Sequence, residues 1–216
     1  MLVASAACRP GAVAPHGSFR GATREAFERI AASTAPTTRE VLRLAWRSDD
    51  GRISIAGSGA ARIQPPDSLR LDVSVRLGVG RATLILAGDS VSAEPQEVVA
   101  AVLPDRAAVW SAFGVVRVPE DLVSVELLED GERSFWRVTD ARGRLTTYEL
   151  QGGRLAGVVR EAGGRETARL RLTRDAEGRV VRGSVTDALR GARFELEVTA
   201  RETSEPFAPE IWQLRR

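Results

Sequence analysis

The clearest pattern in this chain is strict alternation. In "SLRLDVSVRL", residues 68–77, Leu69, Leu71, Val73, Val75 and Leu77 share one face, and Ser68, Arg70, Asp72, Ser74 and Arg76 share the other. A period of two describes a strand with one face toward a core and one toward water. "EVLRLAWR" repeats the pattern, setting Leu42, Leu44 and Trp46 against Arg43 and Arg47. "RISIAGSGAARI" follows the turn "SDDG", and its Gly57 and Gly59 predict a bulge or strong bend. "RATLILAGDSVSAEP" predicts a strand to Ala87 and a short return strand after the Gly88-Asp89 turn. Six further strands are predicted at even spacing: 132–139, 144–150, 154–161, 166–174, 179–186 and 192–201. The turns between them are "DARG", "QGG", "AGG", "DAEG" and "ALRG", rich in the glycine that tight hairpins use.

Two stretches break the alternation. Over residues 24–33, Ala26, Phe27, Ile30 and Ala31 recur at helical spacing, with Thr23 placed to cap the helix and Pro36 to end it. "PQEVVAAVLPDRAAVWSAFG" predicts two short helices divided at Pro104, with Trp110 and Phe113 on one face and Gly114 as the stop. The acidic stretch "DLVSVELLEDGE" reads as a turn approach and a hairpin, not as catalytic carboxylates. Phe207, Ile211 and Trp212 are placed to pin the proline-containing tail onto the domain. The fold class is therefore mainly β (α+β). About ten or eleven antiparallel strands form an unclosed barrel, with an N-terminal helix and a mid-chain helical lid.

Composition narrows the function. The 216 residues suit one domain, and 43% hydrophobic content is enough for a core. The 31 basic residues are all arginine and face 29 acidic ones, for a net charge of +2. With no basic stripe interleaved with aromatics, nucleic acid is not the expected partner. One cysteine, Cys8, excludes an internal disulfide. One histidine, His16, leaves no His-based metal site and no histidine base for Ser111 or Ser184. "GVGR" lacks the Lys-Ser/Thr of a phosphate loop. No enzyme, metal or cofactor is expected. No apolar run approaches the roughly 18 residues of a membrane span.

The start, "MLVASAACRP", resembles the end of a secretory signal followed by a bacterial lipobox, Ser5-Ala6-Ala7-Cys8. This divides the chain into a residual signal peptide and lipobox (1–8), a flexible tether (9–22) and one domain (23–216). A lipidated Cys8 would be the membrane anchor, since each acyl methylene contributes about 0.8 kcal/mol of membrane affinity.

The element order and the texture of "RISIAGSGAARIQPPDSLRLDV" resemble the bacterial LolA/LolB-like lipoprotein-carrier superfamily. The lipobox-like start resembles the lipid-anchored LolB-like branch, and Arg9 after the cysteine points to outer-membrane sorting. The resemblance implies an unclosed barrel whose apolar inner face, covered by helices, holds acyl chains. It gives "LGVGR", residues 77–81, as the position of a projecting apolar loop. The expected cavity wall is Leu44, Trp46, Ile55, Ile63, Leu71, Val73, Leu84, Leu86, Trp136 and Val138, with Trp110 and Phe113 on the lid. Arg43 and Arg47 are headgroup candidates. An ordinary packed core shows the same alternation. Two functions therefore stand at this level. One is a monomeric, periplasm-facing outer-membrane lipoprotein that binds lipid or lipoprotein acyl chains. The other is a non-enzymatic assembly lipoprotein with a self-filled core, acting through other envelope proteins.

Overall fold

The alternating segments become strands of one antiparallel sheet. The computed structural model describes residues 17–75, 80–88, 90–95 and 106–214. Cys8 and His16, residues 76–79 (which include 77–79 of the expected projecting loop), and residues 96–105 with Pro104 lie outside the described residues. In chain order the elements are β1 (Arg20–Ala22), α1 (Arg24–Thr34), β2 (Glu40–Asp49), β3 (Ser54–Gln64), β4 (Ser68–Val75), β5 (Arg81–Ala87) and β6 (Ser90–Glu94). Then come α2 (Arg106–Ala112), β7 (Leu122–Asp130), β8 (Arg133–Asp140), β9 (Leu145–Gln151), β10 (Arg154–Ala162), β11 (Arg165–Arg174), β12 (Val180–Asp187) and β13 (Ala192–Thr203). A single 3₁₀ turn, Pro209–Trp212, follows.

The spatial order is β1-β7-β8-β9-β10-β11-β12-β13-β2-β3-β4-β5-β6. The seam is β13 against β2, running from Arg193 opposite Asp49 to Thr203 opposite Glu40. β1 and β6 stand at the two edges and do not pair with each other, so the barrel is unclosed.

Among the described residues the sheet has thirteen strands, more than alternation predicted. β7 was hidden because both of its faces are covered. Val125 packs in the cluster around Phe27, while Leu128 opposes Phe135 and lies beside Gly17. β1, placed in the tether by the sequence pattern, pairs with β7 through Arg20, Gly21 and Ala22. The expected bulge at Gly57 and Gly59 is absent, and the ladders on both sides of β3 run without a register shift. The glycines serve close approach instead. A Cβ on Gly57 would fall 1.9 Å from the Ser74 carbonyl oxygen and 2.7 Å from the Trp46 indole. That indole donates to the Ser58 carbonyl at 3.2 Å.

α1 forms as its sequence predicts. The Thr23 hydroxyl accepts the Ala26 amide at 3.2 Å, satisfying one orphan N–H of the first turn. Ala35 turns extended ahead of Pro36 and ends the helix. Phe27 is fully buried between Trp136 and Tyr148, at ring separations of 5.9 and 5.6 Å. The tail is held to the domain through its main chain, and the expected aromatic residues meet each other. Phe207 meets Trp212 edge-on, and Arg70 Nη1 donates to the Ile211 carbonyl at 2.7 Å.

Two apolar clusters result. The first joins β2–β5 and Leu196 of β13 to Val109 and Trp110 of α2. The second joins β7–β11 to Phe27 of α1.

Candidate functional site

An open groove of about 1270 Å³ lies on the helix-covered face, between the end of α1, residues 116–121 and the strands β8–β13. Its helical side is alanine: Ala31, Ala32 and Ala35. Its apolar floor includes Val138, Tyr148, Val185 and Phe194. The groove stays open because α1 presents methyl groups where a larger residue would reach the sheet.

Residues 115–118 form the wall between the groove and the first cluster, and three hydrogen bonds hold this segment. The Val115 amide donates to the Trp110 carbonyl at 3.1 Å. The Val116 amide donates to the Thr34 hydroxyl at 2.9 Å, tying the wall to the last turn of α1. The Tyr148 hydroxyl donates to the Arg117 carbonyl at 3.3 Å. The Arg117 guanidinium lies 4.3 Å from the centre of the Trp110 ring, a cation–π contact that joins the wall to α2.

Charged residues also line the groove, among them Asp140, Arg142, Arg144, Arg160 and Asp187. Asp140 is 8% exposed and accepts the Arg142 and Arg144 amides at 3.0 and 2.9 Å, and Arg144 Nε at 2.6 Å. Burial works to raise its proton affinity. The hydrogen bonds and charge of Arg144, with the Arg142 amide, outweigh burial and hold the carboxyl below the usual aspartate range. Asp187 accepts the Leu189 and Arg190 amides and fixes the next hairpin, which also lines the groove.

Most of the expected cavity wall lies elsewhere. Leu44, Trp46, Ile63, Leu71, Leu84, Leu86 and Trp110 are 7% exposed or less. All except Trp46 belong to the first cluster, with Val73 and Phe113 packed against it. Trp46 stacks on Phe194 at 6.2 Å. Trp136 and Val138 belong to the second cluster, and of the twelve expected wall and lid residues only Val138 lines the groove. Ile55 is 41% exposed, apart from either cluster. Arg43 and Arg47 are exposed and alternate with the buried residues of β2, so they face away from the groove. Arg47 Nε donates to the Ser54 hydroxyl at 3.1 Å. Arg43 borders a second hollow of about 880 Å³ on the outer face of β2–β5, beneath the tail.

Of the residues that shape the groove, Ala31 is named by the sequence only as part of the apolar face of α1, and Ala32, Ala35 and the 116–121 wall were not assigned to a site. The available signal was the run of small residues in the second half of α1. The acidic stretch after residue 120 is structural: Glu126, Glu129 and Asp130 form ion pairs with Arg137, Arg20 and Arg133. Ser111 is buried within α2, and Ser184 accepts Arg193 Nε at 3.3 Å. No helix among the described residues is long and apolar enough to cross a membrane.

One unclosed antiparallel sheet carrying helices on its inner face is the LolA/LolB-like fold. Solved structures carry the assignment. An outer membrane lipoprotein-sorting protein domain of Vibrio parahaemolyticus superposes with a TM-score of 0.56 at 7% identity, covering 87% of this chain and 94% of that one. A LolA superfamily protein from Nitrosomonas europaea gives 0.53 at 12% identity, with coverages of 89% and 98%. A DUF1329 family protein from Desulfovibrio piger gives 0.52 at 7% identity, with coverages of 88% and 96%. Identities this low establish a shared fold. No protein-family model matches the sequence, and no curated protein matches it.

Proposed function

We propose that this protein is a non-enzymatic, monomeric envelope protein that holds an acyl chain of a lipid or lipoprotein in the groove beneath α1. In this reading it faces the periplasm from the bacterial outer membrane, anchored through lipidated Cys8. The observation that carries the reading is an open groove of about 1270 Å³ with an apolar floor, on the helix-covered face of this fold. Each methylene moved from water to that floor contributes about 0.8 kcal/mol, so a long chain is held by many weak contacts rather than one polar handle. The solved neighbour described as a lipoprotein-sorting domain supports the same class of cargo.

The test is native mass spectrometry of the purified full chain with lipid extraction, followed by titration with a fluorescent fatty acid. One amphiphile per chain, displaced by the probe, is the expected result. An empty protein that ignores the probe would sink the reading. The filled β2–β5 half favours the second function, a surface-acting assembly protein with a self-filled core, and that outcome would leave it standing.

A further inference from the structure

At the end of the sheet where β10 begins and β11 ends, three guanidinium groups converge. Arg174 is half-buried, and main-chain oxygens hold its guanidinium. Nη1 donates to the Gly178 carbonyl at 2.7 Å, and Nη2 and Nε donate to the Leu155 carbonyl at 2.8 and 3.3 Å. Gly178 has φ +80°, and a Cβ built there would fall 1.4 Å from Arg154 Nη1. The Arg154 guanidinium therefore lies against the residue whose carbonyl Arg174 holds. The third group, Arg201, donates to the Val180 carbonyl at 3.1 Å and pairs with Glu40.

The charges around this point do not balance. Glu40 is engaged by Arg201, and Asp175 and Glu177 are engaged by Arg179. Arg174 has hydrogen bonds to carbonyls only. Among the described residues the Arg154 side chain has no hydrogen bond or ion pair, so its guanidinium donors are open. Burial first, and then the neighbouring charges of Arg154 and Arg201, lower the proton affinity of Arg174. Arg179 with its two carboxylates carries a net negative charge, so four guanidinium groups against three carboxylates leave one positive charge at the sheet end.

We propose that Arg154 and Arg174, backed by Arg201, form a binding site for a tetrahedral oxyanion of the phosphate class. An anion offsets the uncompensated charge and takes up the open Arg154 donors. Its several oxygens suit planar guanidinium forks, which bind phosphate through paired N–H donors. Main-chain anchoring of Arg174 fixes one side of the site before the anion arrives, so Arg154 alone has to reorient. The phosphate could come from solution or from a phosphomonoester lipid headgroup; the chemistry recognised is the same. This site is separate from the groove, and either can fail without the other.

The test is titration of the full chain with inorganic phosphate, followed by calorimetry and ³¹P NMR. Saturable binding is expected, weakened at least about tenfold in Arg154→Ala and largely restored in Arg154→Lys. Arg154 is exposed and unbonded, so the alanine variant should keep the parent's circular dichroism and melting temperature. Sedimentation with phosphatidic acid vesicles, against phosphatidylcholine vesicles, reads the source. Arg154-dependent binding to the former alone supports a headgroup. Arg154-dependent binding of free phosphate supports the soluble ion. Binding unchanged in Arg154→Ala, or absent for phosphate and both vesicles, overturns the proposal.

Discussion

The two halves of this sheet begin from the same alternating pattern and end differently. Over β2–β5 the inner face is sealed. Val109 and Trp110 of α2 enter a cluster with Leu42, Leu44, Leu71, Leu84 and Leu86, and Trp110 is fully buried. Over β8 and β9 the covering helix is α1, whose Phe27 is buried against Trp136 and Tyr148 while its second half offers Ala31, Ala32 and Ala35 to an open groove. The difference does not lie in the strands, which are apolar on the inner face in both halves. It lies in the size of the side chains the covering helix brings down. An apolar sheet face becomes a core under Trp110 or Phe27 and a groove under the alanines beyond Phe27, because close packing leaves no void only when the facing volumes are complementary.

The largest expected effect breaks the filled half. Trp110→Ala removes the central side chain of the first cluster, and it should destabilise the fold by about 3–5 kcal/mol. Urea unfolding reads this directly, and a loss under 1 kcal/mol would mean that α2 is a detachable lid rather than core. Gly57→Ala tests the same half from within the sheet. Its Cβ would press on the Ser74 carbonyl and the Trp46 ring, so a cost of about 1–3 kcal/mol is expected. A neutral result would show that β3 and β4 can separate locally.

The strands were legible because their signal is local. Glycine-marked turns and a period of two locate β8–β13 to within a residue or two of where they lie. Thr23 and Pro36 bound α1 for the same reason: a cap and a breaker act within one turn. β7 was not legible, since Val125 and Leu128 are buried on opposite faces and erase the alternation. The candidate site was the least legible part. Apolar strand residues mark a face, but whether that face is core or groove depends on which helix lands on it. Trp110 and Ala31 decide that outcome through contacts across dozens of residues, which no local period records. The lid pair Trp110 and Phe113 accordingly packs into the filled half, while the groove opens under a helix that had been read only for its buried stripe.

Filling the groove sharpens the comparison from the other side. Ala31→Phe places a ring where α1 now offers a methyl group, making that half resemble the half under Trp110. Binding of a fluorescent fatty acid should fall at least about tenfold, equivalent to 1.4 kcal/mol. Ala31 also packs against the second cluster, so a stability cost of about 1–3 kcal/mol should accompany the loss of binding. Unchanged probe binding by the folded variant would place the acyl chain outside this groove.

The smallest effect concerns one aspartate in each half. Asp72 lies on the outer face of the filled half. Burial raises its proton affinity, but hydrogen bonds from Arg70 and Thr83, with the charge of Arg62, leave the carboxyl below its ordinary value. Asp140 borders the groove and is lowered through Arg144 and the Arg142 amide despite its burial. A carboxyl whose folded pKa is depressed favours folding above the unfolded value, about 3.9 for aspartate, and that contribution is lost as pH falls through the folded value. Both Asp72→Asn and Asp140→Asn should therefore flatten the acid limb of a stability–pH profile measured by urea unfolding between neutral pH and pH 3. Only Asp140→Asn should also change fatty-acid probe binding at neutral pH, because Asp140 lines the groove and Asp72 does not. An equal change in both variants would mean that the two halves communicate through the sheet and that the groove is not an independent site.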